Sequence, residues 1–272
     1  MKIGQLFDVS GKAAVITGGA SGFGLAAGKA LALNGAHVTL VDVNADALAR
    51  AVKSLGGEGL HVASAVADVT DKLAIQDAMD GAVKTFGAVD ILFANAGISG
   101  GPGFLAADGS RNPATQIENQ ASEVWEKVLD INLMGAVKTI QAAVPQMKKQ
   151  GAGRIIVTSS CSATKTEIFV GSGYVISKAA LGHLVRQLAH ELATFNITVN
   201  AISPGPAATN IAGGRMKDPQ AAELFSRYIP MHRVAQAEDI IGALLFFASP
   251  ASAYVTGAEI LVDGGAVLGI AD

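Results

Sequence analysis

The sequence predicts an α/β fold in which one parallel sheet is covered by helices on both faces. Three observations predict it. Seven short apolar segments alternate with segments of helical length, a pattern typical of strand–helix–strand crossovers. Most of the strand-like segments lack apolar/polar alternation, as strands covered on both faces do. Half of the 272 residues are apolar and only 16% are charged, which suits a large buried core.

These segments predict seven strands of a doubly wound sheet in one domain over residues 1–272. In chain order, the predicted strands are residues 13–17, 37–42, 60–66, 89–94, 154–158, 197–202 and 259–262. The first two strands are separated by a predicted helix that continues through about Leu33. The helix after the second strand is predicted to end before Gly56 and Gly57, because glycine weakens helices.

Two stretches rich in Gly, Pro, Asn and Ser predict long loops, at residues 99–120 and 204–219. Long loops in a compact α/β domain often form binding surfaces or lids, and otherwise they decorate the surface. We expect the substrate loops to lie near residues 99–120 and 204–226, which extends the second stretch by a few residues.

The composition excludes several classes of protein. The net charge is −3 and the Lys and Arg residues are scattered, which is not typical of proteins that bind nucleic acid or an anionic membrane. The longest apolar segment, residues 240–248, is about half the roughly 20 residues that a membrane span needs, and it predicts a buried helix. The start of the chain lacks the apolar core and cleavage site of a secretory signal. A single cysteine, Cys161, excludes an internal disulfide, so we expect a cytoplasmic protein. The histidines lack metal-site spacing, so no metal is predicted.

A glycine-rich segment, TGGASGFG at residues 17–24, follows the first predicted strand and opens a helix. Its glycines allow a tight turn and let a pyrophosphate approach the backbone amides. The start of the helix adds unpaired N–H groups and the positive end of the helix dipole. The alternative is an ordinary strand–helix turn, but the position favours a Rossmann-like dinucleotide site. The residues predicted to bind the dinucleotide here are Gly18, Ser21, Gly22, Phe23 and Gly24.

An acidic residue, Asp42, ends the second predicted strand. A carboxylate there accepts hydrogen bonds from both ribose hydroxyls of an adenosine and repels a 2′-phosphate. No Arg or Lys stands at Ser21, Val43 or Asn44 to offset that repulsion. The sequence therefore favours NAD over NADP. The alternative role for Asp42 is a helix N-cap, although Asn44 is also available for that.

Further motifs follow in order along nearly the whole chain. After the glycine loop come Asp68-Val69, Asn95-Ala96-Gly97, Asn132, Ser159-Ser160, the YVISK segment at 174–178, Ser203-Pro204-Gly205 and Val262-Asp263-Gly264-Gly265. With this ordered set, the chain resembles the short-chain dehydrogenase/reductase family. Each motif alone is a weak signal, but the set in this order and at these spacings is specific.

The resemblance implies a role for each matching residue around a bound dinucleotide. The implied positions are Asp68 and Val69 at the adenine, Asn95, Ala96 and Gly97 at the end of the fourth strand and along the cofactor, Pro204, Gly205 and Thr209 beside the nicotinamide amide, and Lys178 at the nicotinamide ribose with Tyr174 next to it. Similar family members are usually tetramers or dimers. Together with the apolar segment near residue 240 and the last strand, this favours a homo-oligomer, a tetramer before a dimer.

Tyr174 and Lys178 lie four residues apart, so they share one face of a helix that an apolar stripe docks on the core. A free phenol has a pKa near 10 and is a poor base at neutral pH. A positive charge about 4 Å away would lower that pKa by roughly three units before desolvation. We therefore expect Lys178, helped by an oxidised nicotinamide, to bring the pKa of Tyr174 towards the working pH.

The substrate oxygen is expected to bind Ser160, at the end of the fifth strand. The usual family spacing from the tyrosine selects Cys161 instead. Aligning the strand end selects Ser160, because loop length shifts more easily than strand register. Ser162 is a second candidate. Cys161 is then interpreted as a small packed neighbour rather than a reactive thiol.

Asn132 lies in an apolar helical pattern, where asparagine is locally unfavourable. Its amide is predicted either to hold a water that connects Lys178 to solvent or to make a satisfied hydrogen bond in the core.

Together, these residues predict an NAD-dependent oxidoreductase that interconverts a secondary alcohol and a ketone, with Tyr174, Lys178, Ser160 and Asn132 as its catalytic residues. The alternatives are a dinucleotide-sensing or scaffold protein and an NAD-using epimerase on the same fold. The partner is a small molecule, and its identity is not readable. Residues 164–173 combine Lys165, Glu167 and Phe169, so the sequence favours neither a polar nor an apolar substrate pocket.

Overall fold

A computed structural model describes residues 2–106 and 109–269 of the chain. Its centre is one sheet of seven parallel strands in the order β3-β2-β1-β4-β5-β6-β7. The strands are β1 Ala13–Thr17, β2 His37–Asp42, β3 Val62–Val66, β4 Ile91–Ala94, β5 Gly153–Thr158, β6 Ile197–Pro204 and β7 Glu259–Val262. The order reverses between β1 and β4, so a crevice opens at their carboxyl ends, where open α/β sheets bind ligands.

Helices cover both faces of the sheet, which confirms the predicted fold class. In chain order they are α1 Ile3–Leu6, α2 Gly22–Leu33, α3 Ala45–Gly57, α4 Lys72–Phe86, α5 Ser122–Leu129, α6 Gly135–Gln150, α7 Ser172–Leu192, α8 Pro219–Ser226 and α9 Ile241–Ala248. One core cluster lies between the sheet and α4, α6 and α7. A second lies between the opposite face and α2, α3 and α9. The strand residues alternate between the two clusters, so both faces of the central strands are apolar.

The predicted bounds of three strands, at residues 13–17, 37–42 and 259–262, are confirmed. Strands β3 and β4 begin two residues later than predicted. Val89 is fully buried, but its N–H bonds to the Gln150 side chain rather than to a neighbouring strand. Strand β6 continues two residues further than predicted because its pairing with β7 extends to Pro204.

The prediction that the helix after β2 ends before Gly56 and Gly57 is wrong, since α3 includes both. The chain turns out of the helix at Gly59, whose φ of +78° is a left-handed conformation that favours glycine. Glycines in the last turn lower helix propensity, but they do not break the packing that holds Leu48 and Leu55 in the core.

The two predicted loops are only partly irregular. Within residues 99–120, two short 3₁₀ turns form at Pro113–Thr115 and Ile117–Asn119, while residues 107 and 108 lie outside the described parts. The second stretch contains a 3₁₀ helix, Ile211–Lys217, that leads into α8. Gly213 and Gly214 in this 3₁₀ helix both have positive φ, a left-handed conformation that favours glycine. No helix in the described ranges has the length and apolar character to cross a bilayer.

The apolar segment near residue 240 forms α9, as predicted, and Phe247 on it is fully buried against α2 and the sheet. We expect Phe247→Ala to lower the free energy of unfolding by about 3–5 kcal/mol, because it removes apolar contacts and leaves a cavity. Urea denaturation at fixed protein concentration measures the change. Leu73→Ala is the control, since Leu73 is 76% exposed; equal effects of the two substitutions would contradict this account of the core.

Candidate active site

The glycine loop forms a cradle that would be filled if its glycines carried side chains. Gly18 and Gly22 have φ of +66° and +52°. A Cβ at Gly24 would lie 2.1 Å from the Gly18 carbonyl oxygen, so only glycine fits there. The Ser21 side chain makes no capping hydrogen bond to the start of α2. The loop therefore leaves backbone N–H groups and a hydroxyl at a helix start, which fits a pyrophosphate. Phe23 follows on the first turn of α2, partly buried against the second core cluster.

Asn95 connects this loop to the neighbouring strands. Its Nδ2 donates to the carbonyl oxygens of Thr17 at 3.1 Å and of Gly18 at 3.3 Å. Its Oδ1 accepts a hydrogen bond of 2.9 Å from the Thr158 hydroxyl at the end of β5. The Thr17 hydroxyl in turn accepts the backbone N–H groups of Asn95 and Ala96. Asn95 was predicted at the end of the fourth strand, but the two threonines that complete the network were not.

Asp42 lies at the rim of the cradle. One carboxylate oxygen accepts the Ala20 N–H at 3.1 Å, and the other accepts the Asn44 N–H at 3.0 Å. Asn44 itself caps α3 by accepting the Ala47 N–H, so the alternative role that the sequence left open for Asp42 belongs to Asn44. The Asp42 carboxylate retains lone pairs for a ribose. Val43, next to it, is 66% exposed and carries no charge.

At the end of β3, Asp68 and Val69 differ in their surroundings. The backbone N–H and the hydroxyl of Thr70 both donate to one Asp68 oxygen at 2.8 Å, and these bonds lower the pKa of the Asp68 carboxyl. Val69 is buried and packs so closely on Gly135 that a Cβ there would lie 2.6 Å from a Val69 methyl group. Their predicted place at the adenine stays a prediction.

Lys178 is buried on α7, with 3% of its surface exposed. Its Nζ donates a 2.7 Å hydrogen bond to the Thr158 carbonyl oxygen and lies 5.7 Å from the centre of the Tyr174 ring. Burial lowers the pKa of Lys178 to about 8, because the charged form loses its hydration. Tyr174 and Lys178 therefore share a helix face, as the spacing predicts.

The expectation that Lys178 lowers the pKa of Tyr174 is wrong for the protein without a dinucleotide. The ring is half-buried, and burial raises the pKa of Tyr174 to about 12. A hydrogen bond with the Ser160 hydroxyl acts in the opposite direction, while the charges of Cys161 and Glu167 add to the increase. The Lys178 ammonium, 5.7 Å from the ring centre, is bonded to the Thr158 carbonyl, and desolvation of the phenolate outweighs its attraction.

Ser160 lies at the Tyr174 phenol, where the register of β5 predicts the substrate serine. Its Oγ also accepts the Ser162 N–H and bonds the Ser162 hydroxyl, both at 3.1 Å. Ser162, the second candidate, is thus the neighbour that orients Ser160. Cys161 is buried, and burial raises its pKa to about 11, which agrees with a packed neighbour rather than a reactive thiolate.

Asn132 lies fully buried in a π-helical turn, Asp130–Met134, between α5 and α6. Its Nδ2 donates to the Ile98 carbonyl at 3.0 Å and to the Ser177 hydroxyl at 3.1 Å, and its Oδ1 accepts the Ile98 N–H at 2.8 Å. The amide is thus hydrogen-bonded within the core, and its predicted part in a proton relay stays a prediction. The amide positions the loop after β4 on α7. A Cβ at Gly97 in this loop would lie 3.2 Å from the Asn132 Oδ1 and 3.7 Å from the Lys178 Nζ.

The end of β6 brings three further residues to the crevice. Pro204 ends the strand, and the Gly205 N–H donates to the Val262 carbonyl at 3.0 Å. Thr209 is buried, and a Cβ at Gly22 would lie 3.3 Å from the Thr209 Cβ. The loop after β6 therefore contacts the glycine loop. The position of Pro204, Gly205 and Thr209 beside the nicotinamide amide, which the resemblance implies, stays a prediction.

An aromatic cluster joins the two loops that flank Tyr174, and sequence reasoning did not find it. Phe169 meets Phe225 of α8 at 5.7 Å and Tyr228 at 5.8 Å between ring centres. The Arg215 guanidinium lies 5.4 Å over the Phe225 ring. The sequence shows Phe169 only as one residue of a mixed segment. Its partners Phe225 and Tyr228 lie more than 50 residues further along the chain, so no local pattern connects them.

Known proteins resemble this chain over nearly its whole length. A family model described as enoyl-(acyl carrier protein) reductase matches residues 18–267. Dehydrogenase/reductase SDR family member 4 of Bos taurus is 34% identical over 94% of this chain and 87% of its own. A sorbose reductase of Schizosaccharomyces pombe is 34% identical over 96% of this chain and 98% of its own. A gluconate 5-dehydrogenase from Burkholderia cenocepacia, in complex with NADP and tartrate, is 28% identical, with a TM-score of 0.86 over 98% and 99% of the two chains. The chain therefore belongs to the short-chain dehydrogenase/reductase family.

Proposed function

We propose that this protein interconverts a secondary alcohol and a ketone, with NAD as the hydride carrier. The observation that carries the proposal is a phenol bonded to a serine hydroxyl at the end of a central strand, with a buried ammonium one helical turn behind it. Relatives that include a sorbose reductase support redox chemistry between alcohols and ketones. The nicotinamide supplies the hydride chemistry when it is bound.

The chain's own residues hold the substrate oxygen and move its proton. Ser160 donates a hydrogen bond to that oxygen. Tyr174 takes the hydroxyl proton in the oxidation direction and gives it back in reduction. Lys178 holds its charge behind the phenol and is available to the nicotinamide ribose. Asn132 positions the loop after β4 and supports a proton relay from Lys178 to solvent.

The remaining predicted residues form the binding surface for the dinucleotide. Asp42 supports NAD, because its carboxylate is half-buried beside the cradle and the neighbouring Val43 offers no positive charge to a 2′-phosphate. Because one relative forms a complex with NADP, the preference for NAD over NADP is the first point to test. Assembly as a tetramer or dimer, a single domain and a cytoplasmic location stay predictions from the sequence.

The proposal is tested with a panel of secondary alcohols that covers sugars, hydroxy acids, cyclic diols and aryl carbinols. We expect at least one alcohol to reduce NAD stoichiometrically, seen as the absorbance of the reduced nicotinamide. Binding of NAD without any net reduction across the panel would contradict the proposal and favour a sensor or an epimerase.

We expect Tyr174→Phe to lower kcat by at least about 100-fold, because general acid–base catalysis contributes on the order of 10²–10⁴. NADH affinity, measured by fluorescence titration, is expected to stay within about twofold. Tyr254→Phe removes the same hydroxyl from a fully exposed ring and serves as the control. Retained turnover in the Tyr174 variant would remove this phenol from the mechanism.

For Asp42→Ala, we expect the preference for NAD over NADP, measured as the ratio of the two kcat/KM values, to fall by at least about tenfold, since the repulsion of a 2′-phosphate is lost. Asp42→Asn removes the charge but keeps the size of the side chain and one oxygen that can accept either the Ala20 or the Asn44 N–H, so it separates loss of charge from loss of the side chain. Asp46→Ala, on the exposed first turn of α3, is the control. An unchanged ratio in both Asp42 variants would overturn the ribose assignment.

Burial of Lys178 predicts a pH dependence of stability. Its pKa falls from 10.5 to about 8 on folding, so between these values the unfolded chain binds a proton that the folded chain does not. Stability from this group therefore rises with pH across that window, by on the order of 3 kcal/mol. Urea denaturation of the wild type and of Lys178→Met at pH 7.5 to 10.5 checks this. Parallel curves for the two proteins would contradict it, and Lys84→Met, at an exposed site, controls for general charge effects.

A further inference from the structure

The loop after β4 lies directly against the start of α7, which carries Tyr174. We call residues 98–105 of this loop the strap. A Cβ on Gly100 would lie 2.9 Å from the Tyr174 Cβ and 3.0 Å from the Tyr174 backbone nitrogen, which is too close for a side chain. The backbone of the strap therefore occupies the space beside the base of the Tyr174 side chain. At the other end of that side chain, the phenol bonds the Ser160 hydroxyl.

The segment that leads into α7 pairs with the strap through backbone atoms. Pro102 and Val170 form an antiparallel bridge. The Gly171 N–H donates a 3.1 Å hydrogen bond to the Gly101 carbonyl, and the Gly171 carbonyl accepts the Tyr174 N–H at 3.0 Å. The strap is thus connected to the first turn of α7 by hydrogen bonds as well as by direct contact.

Glycines let these two segments approach more closely than side chains would allow. A Cβ on Gly171 would lie 2.2 Å from the Gly100 carbonyl oxygen, and a Cβ on Gly103 would lie 2.2 Å from the Ile168 carbonyl oxygen. Gly171 has a φ of −59° and Gly100 has no positive φ, so neither residue adopts the left-handed conformation that favours glycine. The close contact, and not the backbone conformation, is what requires glycine at these two positions.

Two side chains outside α7 hold the strap in place. The Asn132 amide bonds both the N–H and the carbonyl of Ile98, at 2.8 and 3.0 Å. The Thr115 hydroxyl donates a 2.7 Å hydrogen bond to the Gly103 carbonyl. Because these bonds come from other parts of the chain, the strap has a fixed position against which the start of α7 can rest.

We propose that Gly100 is a positioning residue for proton transfer, because its lack of a side chain lets the strap lie against Tyr174 and hold the phenol at Ser160. The inference rests on the proposed function and adds a residue to that site. A tyrosine ring turns only about the two bonds that follow its Cα, so the position of the Cβ limits where the hydroxyl can lie. Misplacement of a reacting group by about 1 Å can lower a rate by about 100-fold.

Gly100→Ala tests the proposal, with the panel alcohol of fastest turnover as the substrate. We expect kcat to fall at least about tenfold, because the added methyl group displaces Tyr174, while NADH affinity stays within about twofold. The rise of kcat with pH in the oxidation direction is expected to move at least about half a unit higher, because a displaced ring loses the Ser160 bond that acts to lower the pKa of Tyr174. Gly81→Ala is the control, since a Cβ at this exposed position of α4 would meet nothing within 4 Å.

Thr115→Val loosens the strap without a new contact at the active site, so it tests the same idea if Gly100→Ala does not fold. The substitution keeps the shape of the side chain and removes the bond to the Gly103 carbonyl. We expect kcat to fall at least about threefold and its pH profile to move in the same direction. Thr85→Val is the control, because it removes a 2.8 Å bond of the same kind, to the Gly81 carbonyl on α4.

The outcomes separate the inference from the proposed function. A folded Gly100→Ala protein whose kcat stays within about twofold of wild type, or falls while the pH profile does not move, overturns the inference and leaves the proposed function standing. If Gly100→Ala does not fold, the same two measurements on Thr115→Val, compared with Thr85→Val, decide. Absence of turnover of every alcohol by the wild type overturns the proposed function, and the inference fails with it.

Discussion

The buried Lys178 ammonium is the interaction on which the site depends. A cation with 3% exposure needs a strong acceptor, and the Thr158 carbonyl at 2.7 Å provides it. A second bond, from the Ser159 hydroxyl to the Lys178 carbonyl at 3.2 Å, fixes the same turn of α7 to the end of β5. Tyr174 therefore meets Ser160. Thr158 also donates to Asn95, so one network joins the proton-transfer site to the glycine cradle.

The same burial explains why the pKa of the Tyr174 phenol lies far above neutral pH in the protein without a dinucleotide. Desolvation raises the pKa of Tyr174 to about 12 and lowers that of Lys178 to about 8. Both shifts have the same origin, because each group loses hydration of its charged form. The negative charge of Glu167 adds to the increase in the pKa of Tyr174. On the proposed function, the fold supplies geometry, and the positive charge of an oxidised dinucleotide is what would bring the phenol towards the working pH.

The sequence predicts the sheet well because covered strands are apolar runs bounded by glycine and polar residues. Strand register led to Ser160 rather than Cys161, and Ser160 is the residue whose hydroxyl bonds the Tyr174 phenol; its role at the substrate oxygen stays a prediction. Properties set by distant contacts are not readable in this way. The pKa of Tyr174 depends on enclosure by several loops, and the Asn132 amide is used by Ile98 and Ser177, which no spacing rule indicates. The aromatic cluster around Phe169 likewise depends on how α8 folds back.

Titration of the Tyr174 phenol tests the central claim most directly. The difference in phenolate absorbance between wild type and Tyr174→Phe reports this ring alone. The account predicts that the difference is absent up to about pH 10.5 in the free protein, because burial raises the pKa. It predicts that the signal appears at least one pH unit lower with saturating NAD⁺. An unchanged titration on NAD⁺ binding, or a phenolate already present near neutral pH without it, would contradict the account.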